Sequence, residues 1–193
     1  MLLRIVLTTI LSAYTQDDFF LKLSDAALQL THDRVKYDPS YFVIAYPNGD
    51  VPVDKGVCTD VIIRAYRKMG IDLQKNVHED MMQNFGVYPK DWGLKKPDKN
   101  IDHRRVPNLR TFFARHGTSL RPTSEADDYK PGDIVTWDLG KGIDHIGIVI
   151  KKRSNDNKRN LIVHNIGNGQ ETSDCLFTYQ ITGHYQYNPE QIE

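Results

Sequence analysis

His145-Ile146-Gly147-Ile148-Val149-Ile150, followed after a polar tip by Leu161-Ile162-Val163-His164, decides how this chain folds. Two apolar runs joined by Arg153-Ser154-Asn155-Asp156-Asn157 predict an antiparallel hairpin. Strand alternation puts His145, Gly147 and Val149 on one face and Ile146, Ile148 and Ile150 on the other. Just upstream, Tyr129-Lys130-Pro131-Gly132-Asp133 reads as a turn leading into the strand Ile134-Val135-Thr136-Trp137. Downstream, 175–182 and 184–187 are further strand candidates. The first half of the chain is helical in pattern. Phe19, Phe20, Leu23, Ala26, Ala27 and Leu30 recur at helical spacing, and Val61, Ile62, Ala65, Tyr66 and Met69 form a second stripe that stops at Gly70. Asn76 with Glu79 predicts a capped helix running to about 85, and Asn108 a cap for a helix to 116. Between them, 86–107 carries no periodicity, which marks a functional or mobile connection. Helices first and a meander second make an α+β fold, N-terminal helices packed on an antiparallel sheet of five to six strands.

Composition narrows the function. At 193 residues with 39% hydrophobic residues, the chain can bury a sizeable core. Lys+Arg and Asp+Glu are both 25, so neither nucleic acid nor an anionic membrane finds an electrostatic partner here. Two cysteines allow one bridge at most, and a Cys58–Cys175 bridge would block the more interesting thiol. One positive charge, Arg4, precedes a short apolar run to Ala13, too short to span a bilayer but suited to a signal peptide over 1–16. The reading is therefore a periplasmic or secreted protein, with one domain over 17–193, no membrane span and a monomeric state.

The chemistry centres on Gly56-Val57-Cys58-Thr59-Asp60-Val61, where a turn feeds a helix. A thiolate is the nucleophile, and the N–H groups of a first helical turn favour its charge. The same groups, at Cys58 or Thr59, suit the oxyanion of a tetrahedral intermediate. Gly56 would allow the tight turn presenting the sulfur. His145 would take the thiol proton and return it to the leaving amine. Gly147 beside it would let the helix start come close. A third group should orient that ring. Alternation admits only one of His164 and Asn165, and periodicity does not choose between them. Asp60 would sit near the thiolate and raise its pKa. Asp102-His103-Arg104-Arg105 reads as a polar wall of the cleft, where arginine can bind carboxylates. Trp92 and Trp137 read as packing residues. No close-spaced ligand pair supports a metal site, and no cofactor is expected.

Together these segments resemble the NlpC-type cell-wall hydrolases, a papain-like superfamily of bacterial cysteine peptidases. The matching stretches are Val57-Cys58-Thr59-Asp60-Val61, Pro131-Gly132-Asp133-Ile134-Val135, His145-Ile146-Gly147-Ile148-Val149 and Ile162-Val163-His164. The resemblance implies Cys58 as nucleophile, His145 as base, His164 as orienting residue and no metal. It implies a peptidase or amidase acting on peptidoglycan or another peptide or amide substrate. A non-catalytic cell-wall binding module and an acyltransferase of the superfamily are the alternatives. Thr59-Asp60 departs from the Ser-Gly usual after the nucleophile. More narrowly, Gly56 to Tyr66, Val77-His78-Glu79-Asp80-Met81, Asn100 to Leu109 and Ile181-Thr182-Gly183-His184-Tyr185 resemble a bacterial family known as domain of unknown function 1287.

Overall fold

Residues 18–191 are described by the computed structural model of the protein, and the expected leader, 1–16, lies outside them. Helix α1 (18–30) opens the described chain. Two short strands follow, β1 (Lys36–Tyr37) and β2 (Lys55–Gly56), paired parallel. Next come helices α2 (Cys58–Lys68), α3 (Leu73–Asn84) and α4 (Val106–His116). Six further strands complete the fold: β3 (Thr118–Leu120), β4 (Ile134–Asp138), β5 (Asp144–Arg153), β6 (Asn160–His164), β7 (Glu171–Ser173) and β8 (Gln180–Gln186). They form one antiparallel sheet in the order β3-β8-β4-β5-β6-β7, with the β5–β6 hairpin inside it. The architecture is α+β, as the sequence pattern indicates.

The isoleucine face of β5 carries the helices. Ile146, Ile148 and Ile150 pack in one core with Val61, Ile62 and Ala65 of α2 and with Leu109, Phe112 and Phe113 of α4. The other face holds a smaller core of Val135, Trp137, Val149, Ile162, Cys175 and Leu176. The two faces alternate as the sequence predicts. Gly147, however, does not admit a helix. A Cβ there would meet Ile162 Cγ2 at 2.6 Å, Val163 O at 3.0 Å and His164 Cβ at 3.3 Å, so the glycine makes room for the neighbouring strand. Gly147→Ala should cost about 1–3 kcal/mol through this overpacking. Urea denaturation checks it, and a midpoint unchanged from wild type would contradict it.

Local chemistry corrects several expected boundaries. Helix α3 starts at Leu73, capped by Asp72, which accepts from the Lys75 N–H at 3.1 Å. Asn76 and Glu79 therefore lie inside the helix, because Asp72 offers an equal cap four residues earlier, next to the buried Leu73. Helix α4 starts at Val106 with Pro107 in its first turn, where a missing N–H does no harm. Asn108 instead donates to Asp102 O at 3.0 Å. The candidates 175–182 and 184–187 resolve into one strand, β8, preceded by a turn at Cys175–Thr178. Gly56 lies in β2, and its missing Cβ accommodates Asp60 and Arg64 rather than a tight turn. Gly70, at φ +78, ends α2 as expected.

The Pro-Gly-Asp turn has a structural role. Asp133 is fully buried and accepts from Lys130 N–H at 2.8 Å and Gln186 Nε2 at 2.7 Å, with His184 Nε2 at 2.6 Å. One carboxylate thus fastens the turn before β4 to β8.

Candidate active site

A cleft of about 510 Å³ opens where α2 begins. It is lined by Val57, Cys58 and Thr59, by Tyr37 and Tyr41, and by Trp92, Ile101, Arg104, Arg105 and Pro107 of the long connection. Gly142 and Asp144, just before His145, complete the rim. The aperiodic segment 86–107 therefore builds a wall of the cleft. Trp92 is 61% exposed there, at φ 60, so its expected packing role is corrected. It stands on the 3-10 turn Asp91–Gly93, with the Arg105 guanidinium over its ring. Trp137 does pack, donating from Nε1 to Leu176 O at 2.9 Å.

Asp60 holds the start of α2 in place. Its Oδ2 accepts from the Val57 N–H at 2.7 Å, closing the first turn. Arg104 donates to both carboxylate oxygens, at 2.9 and 3.0 Å, and both side chains are nearly shut from water. Thr59 Oγ1 adds a bond to Arg104 O at 3.2 Å. These contacts pin the connection to the helix start and fix the cleft's shape.

Cys58 is unbridged, 7% exposed and on the cleft wall. Burial pushes its thiol up to about 12. A backbone hydrogen bond from Ile146 pulls it down, Asp60 raises it, and the N–H groups of Thr59 and Cys58 pull it down again. The thiol is therefore protonated in the resting protein at neutral pH.

His145 and His164 meet: His145 Nε2 and His164 Nδ1 are 2.8 Å apart. Both are almost wholly buried, on the face turned away from α2, with His145 opposite Trp137 across the strand pair. His164 Nε2 lies 3.9 Å from Cys175 Sγ. Burial, with repulsion between the rings, pushes His145 down to about 3, and burial pushes His164 down to about 4. No hydrogen bond joins Cys58 to His145 among the described residues; the sulfur's strand partner is the Ile146 N–H, one peptide bond along. The ring pair is thus assembled as expected, whereas the thiol and its expected base stand on the two sides of β5. Asn165 faces the other way from His164, donating from Nδ2 to Gly56 O at 3.2 Å beside Cys58.

The cluster 102–105 divides. Arg104 and Arg105 line the cleft. Asp102 and His103 do not, and their expected place on its wall is corrected. Asp102 is fully buried against His78 Nδ1 at 2.8 Å and the Asp98 N–H at 2.8 Å. His103 is 1% exposed, and burial pushes it down to about 3. The 3-10 turn Asp102–Arg104 points successive side chains in different directions, so four adjacent polar residues cannot share one surface.

Three buried neutral histidines make the fold acid-labile. The folded-state values of His103, His145 and His164 lie below the ordinary 6.5, so the unfolded chain takes up protons first as pH falls. Their stabilisation is complete above 6.5 and declines toward pH 4, by about 1.4 kcal/mol per pH unit for each ring. Calorimetry between pH 7 and 4 should show Tm falling steadily, and a flat profile would contradict these assignments.

Among the described residues, no group of three or more His, Cys, Asp or Glu side chains is arranged to hold a metal ion. None of the described helices is long and apolar enough to cross a membrane. Compared with known proteins, residues 24–187 match the model of a family described as Domain of unknown function (DUF1287). The uncharacterized protein YijF of Escherichia coli (strain K12) is 51% identical over 168 residues, which cover 86% of this chain and 81% of that relative.

Proposed function

The chain belongs to the DUF1287 family, and from the cleft at Cys58 we propose that it is a thiol-dependent amide hydrolase. The substrate class is peptidoglycan peptides, met after export to the periplasm or beyond. The observation that carries the reading is a cysteine at a helix start, on the wall of a cleft, with a bonded histidine pair beginning on β5, the strand that α2 packs against. The same order of segments underlies the resemblance to NlpC-type, papain-like enzymes.

In this mechanism Cys58 Sγ attacks the amide carbonyl while His145 takes its proton. His145 Nε2 is engaged by His164, which leaves Nδ1, the ring nitrogen nearer the backbone, as the base. That tautomer has His145 Nε2–H donating to His164 Nδ1, and His164 Nε2–H facing Cys175. At rest the sulfur accepts from the Ile146 N–H, one residue along from His145, and the ring lies on the other side of β5. The backbone N–H groups of Cys58 and Thr59 hold the oxyanion. The tetrahedral intermediate collapses, the amine leaves with the proton from His145, and a thioester remains on Cys58. Water, deprotonated by His145, then releases the acid and restores the thiol.

Transfer from a thiol near 12 to a ring near 3 is uphill at rest. Each charge eases the other only at contact, so the substrate complex must draw the two groups together. That resting state favours one other reading, a binding module whose buried thiol is inert. Incubating the protein with purified muropeptides and weighing the products separates them. A hydrolase yields two fragments that together exceed the parent by one water, and an acyltransferase yields an adduct with a non-water acceptor. Muropeptides bound but returned intact would overturn the hydrolase and leave the module.

A further inference from the structure

Among the described residues, the cleft lining holds one cation that no carboxylate neutralises. Arg104 is spent on Asp60, but Arg105, also lining the cleft, has no carboxylate partner among the described residues. Its guanidinium lies over the exposed Trp92 ring, 4.3 Å from the centroid. One nitrogen, Nη1, is shut from water without any hydrogen bond. The remaining acid on the rim, Asp144, is 3.6 Å from Arg110 and so answers a different arginine. A buried guanidinium N–H left unpaired is costly, and a charged acceptor is what offsets that cost. Stacking on Trp92 holds the planar fork in place, so little freedom is lost when it is engaged.

We propose that Arg105 is the substrate-anchoring residue of the Cys58 cleft, binding a carboxylate of the peptide so that a neighbouring amide lies over the sulfur. The ligand class is a peptide with a free carboxylate close to the scissile bond. This inference rests on the hydrolase reading for the amide, but the carboxylate preference is a binding property and is measured without turnover.

The test uses the full-length Cys58→Ala protein and two synthetic stem-type tripeptides, one with free carboxylates and one with every carboxylate converted to carboxamide. Calorimetric titration should find the free acid bound roughly 10–100-fold tighter. Arg105→Met in the same background should erase that preference, with its Tm showing the fold intact. Arg105→Lys, which keeps charge but not the fork, should retain only part of it. Equal binding of both peptides, no measurable binding of either, or a preference that survives Arg105→Met would each overturn the proposal. Loss of the hydrolase reading would look different: intact muropeptides with wild-type protein, alongside an Arg105-dependent carboxylate preference.

Discussion

Arg104→Met should lower the free energy of unfolding by about 3–5 kcal/mol, a large share of the 5–15 kcal/mol typical of a domain. Asp60 is 2% exposed and loses two of its three hydrogen bonds in that variant. The carboxyl group then remains in the interior with only the Val57 N–H as partner. The damage should extend to the cleft, because Arg104 also donates from Nη1 to Ser40 O at 3.2 Å, joining the segment before β2 to the long connection. Removing both charges is the informative control. Arg104→Met with Asp60→Asn should be less destabilised than the sum of the two single changes, since no unpaired charge is left. Chemical denaturation of the four proteins measures this. A cost under 1 kcal/mol for Arg104→Met would mean the pair does not organise the helix start.

The periodic parts of the fold were legible in the sequence. The apolar stripe of α2, its stop at Gly70, the alternation of β5 and the β5–β6 hairpin all follow from side-chain spacing, and each stands where spacing puts it. Periodicity fell short in two respects. It separates the two faces of a strand without saying which one a helix covers. Both faces of β5 are apolar over part of their length, and α2 packs on the isoleucines rather than beside Gly147. It also misses strands that are short and polar. Thr118–Leu120 and Glu171–Ser173 exist because neighbouring edges, β8 and β6, offer hydrogen bonds, not because their own side chains alternate.

The site was partly legible for the same reasons. Cys58 opens a helix and His145 opens a strand, so both could be located from pattern. That His164 rather than Asn165 contacts the His145 ring, at 2.8 Å, could not be read from spacing. Trp92 and Arg105 lie in a stretch with no periodic signal, and their stacking depends on a chain path that only tertiary packing sets. The split of Asp102 and His103 from Arg104 and Arg105 depends on a single 3-10 turn, which adjacent polar residues do not announce.

Of all substitutions, Cys58→Ala carries the largest expected effect on activity. Removing a nucleophile leaves only binding and the oxyanion donors, so turnover should fall on the order of a thousandfold or more. The fold should tolerate it, because a small apolar group replaces a thiol that bridges nothing and sits at the edge of the core. The decisive measurement is the rate of product release from purified muropeptides by wild-type protein and by Cys58→Ala, at equal concentration and with matched circular dichroism. Products are expected from the wild type and none above background from the variant. Products from both at similar rates, or from neither, would contradict the nucleophilic role of Cys58.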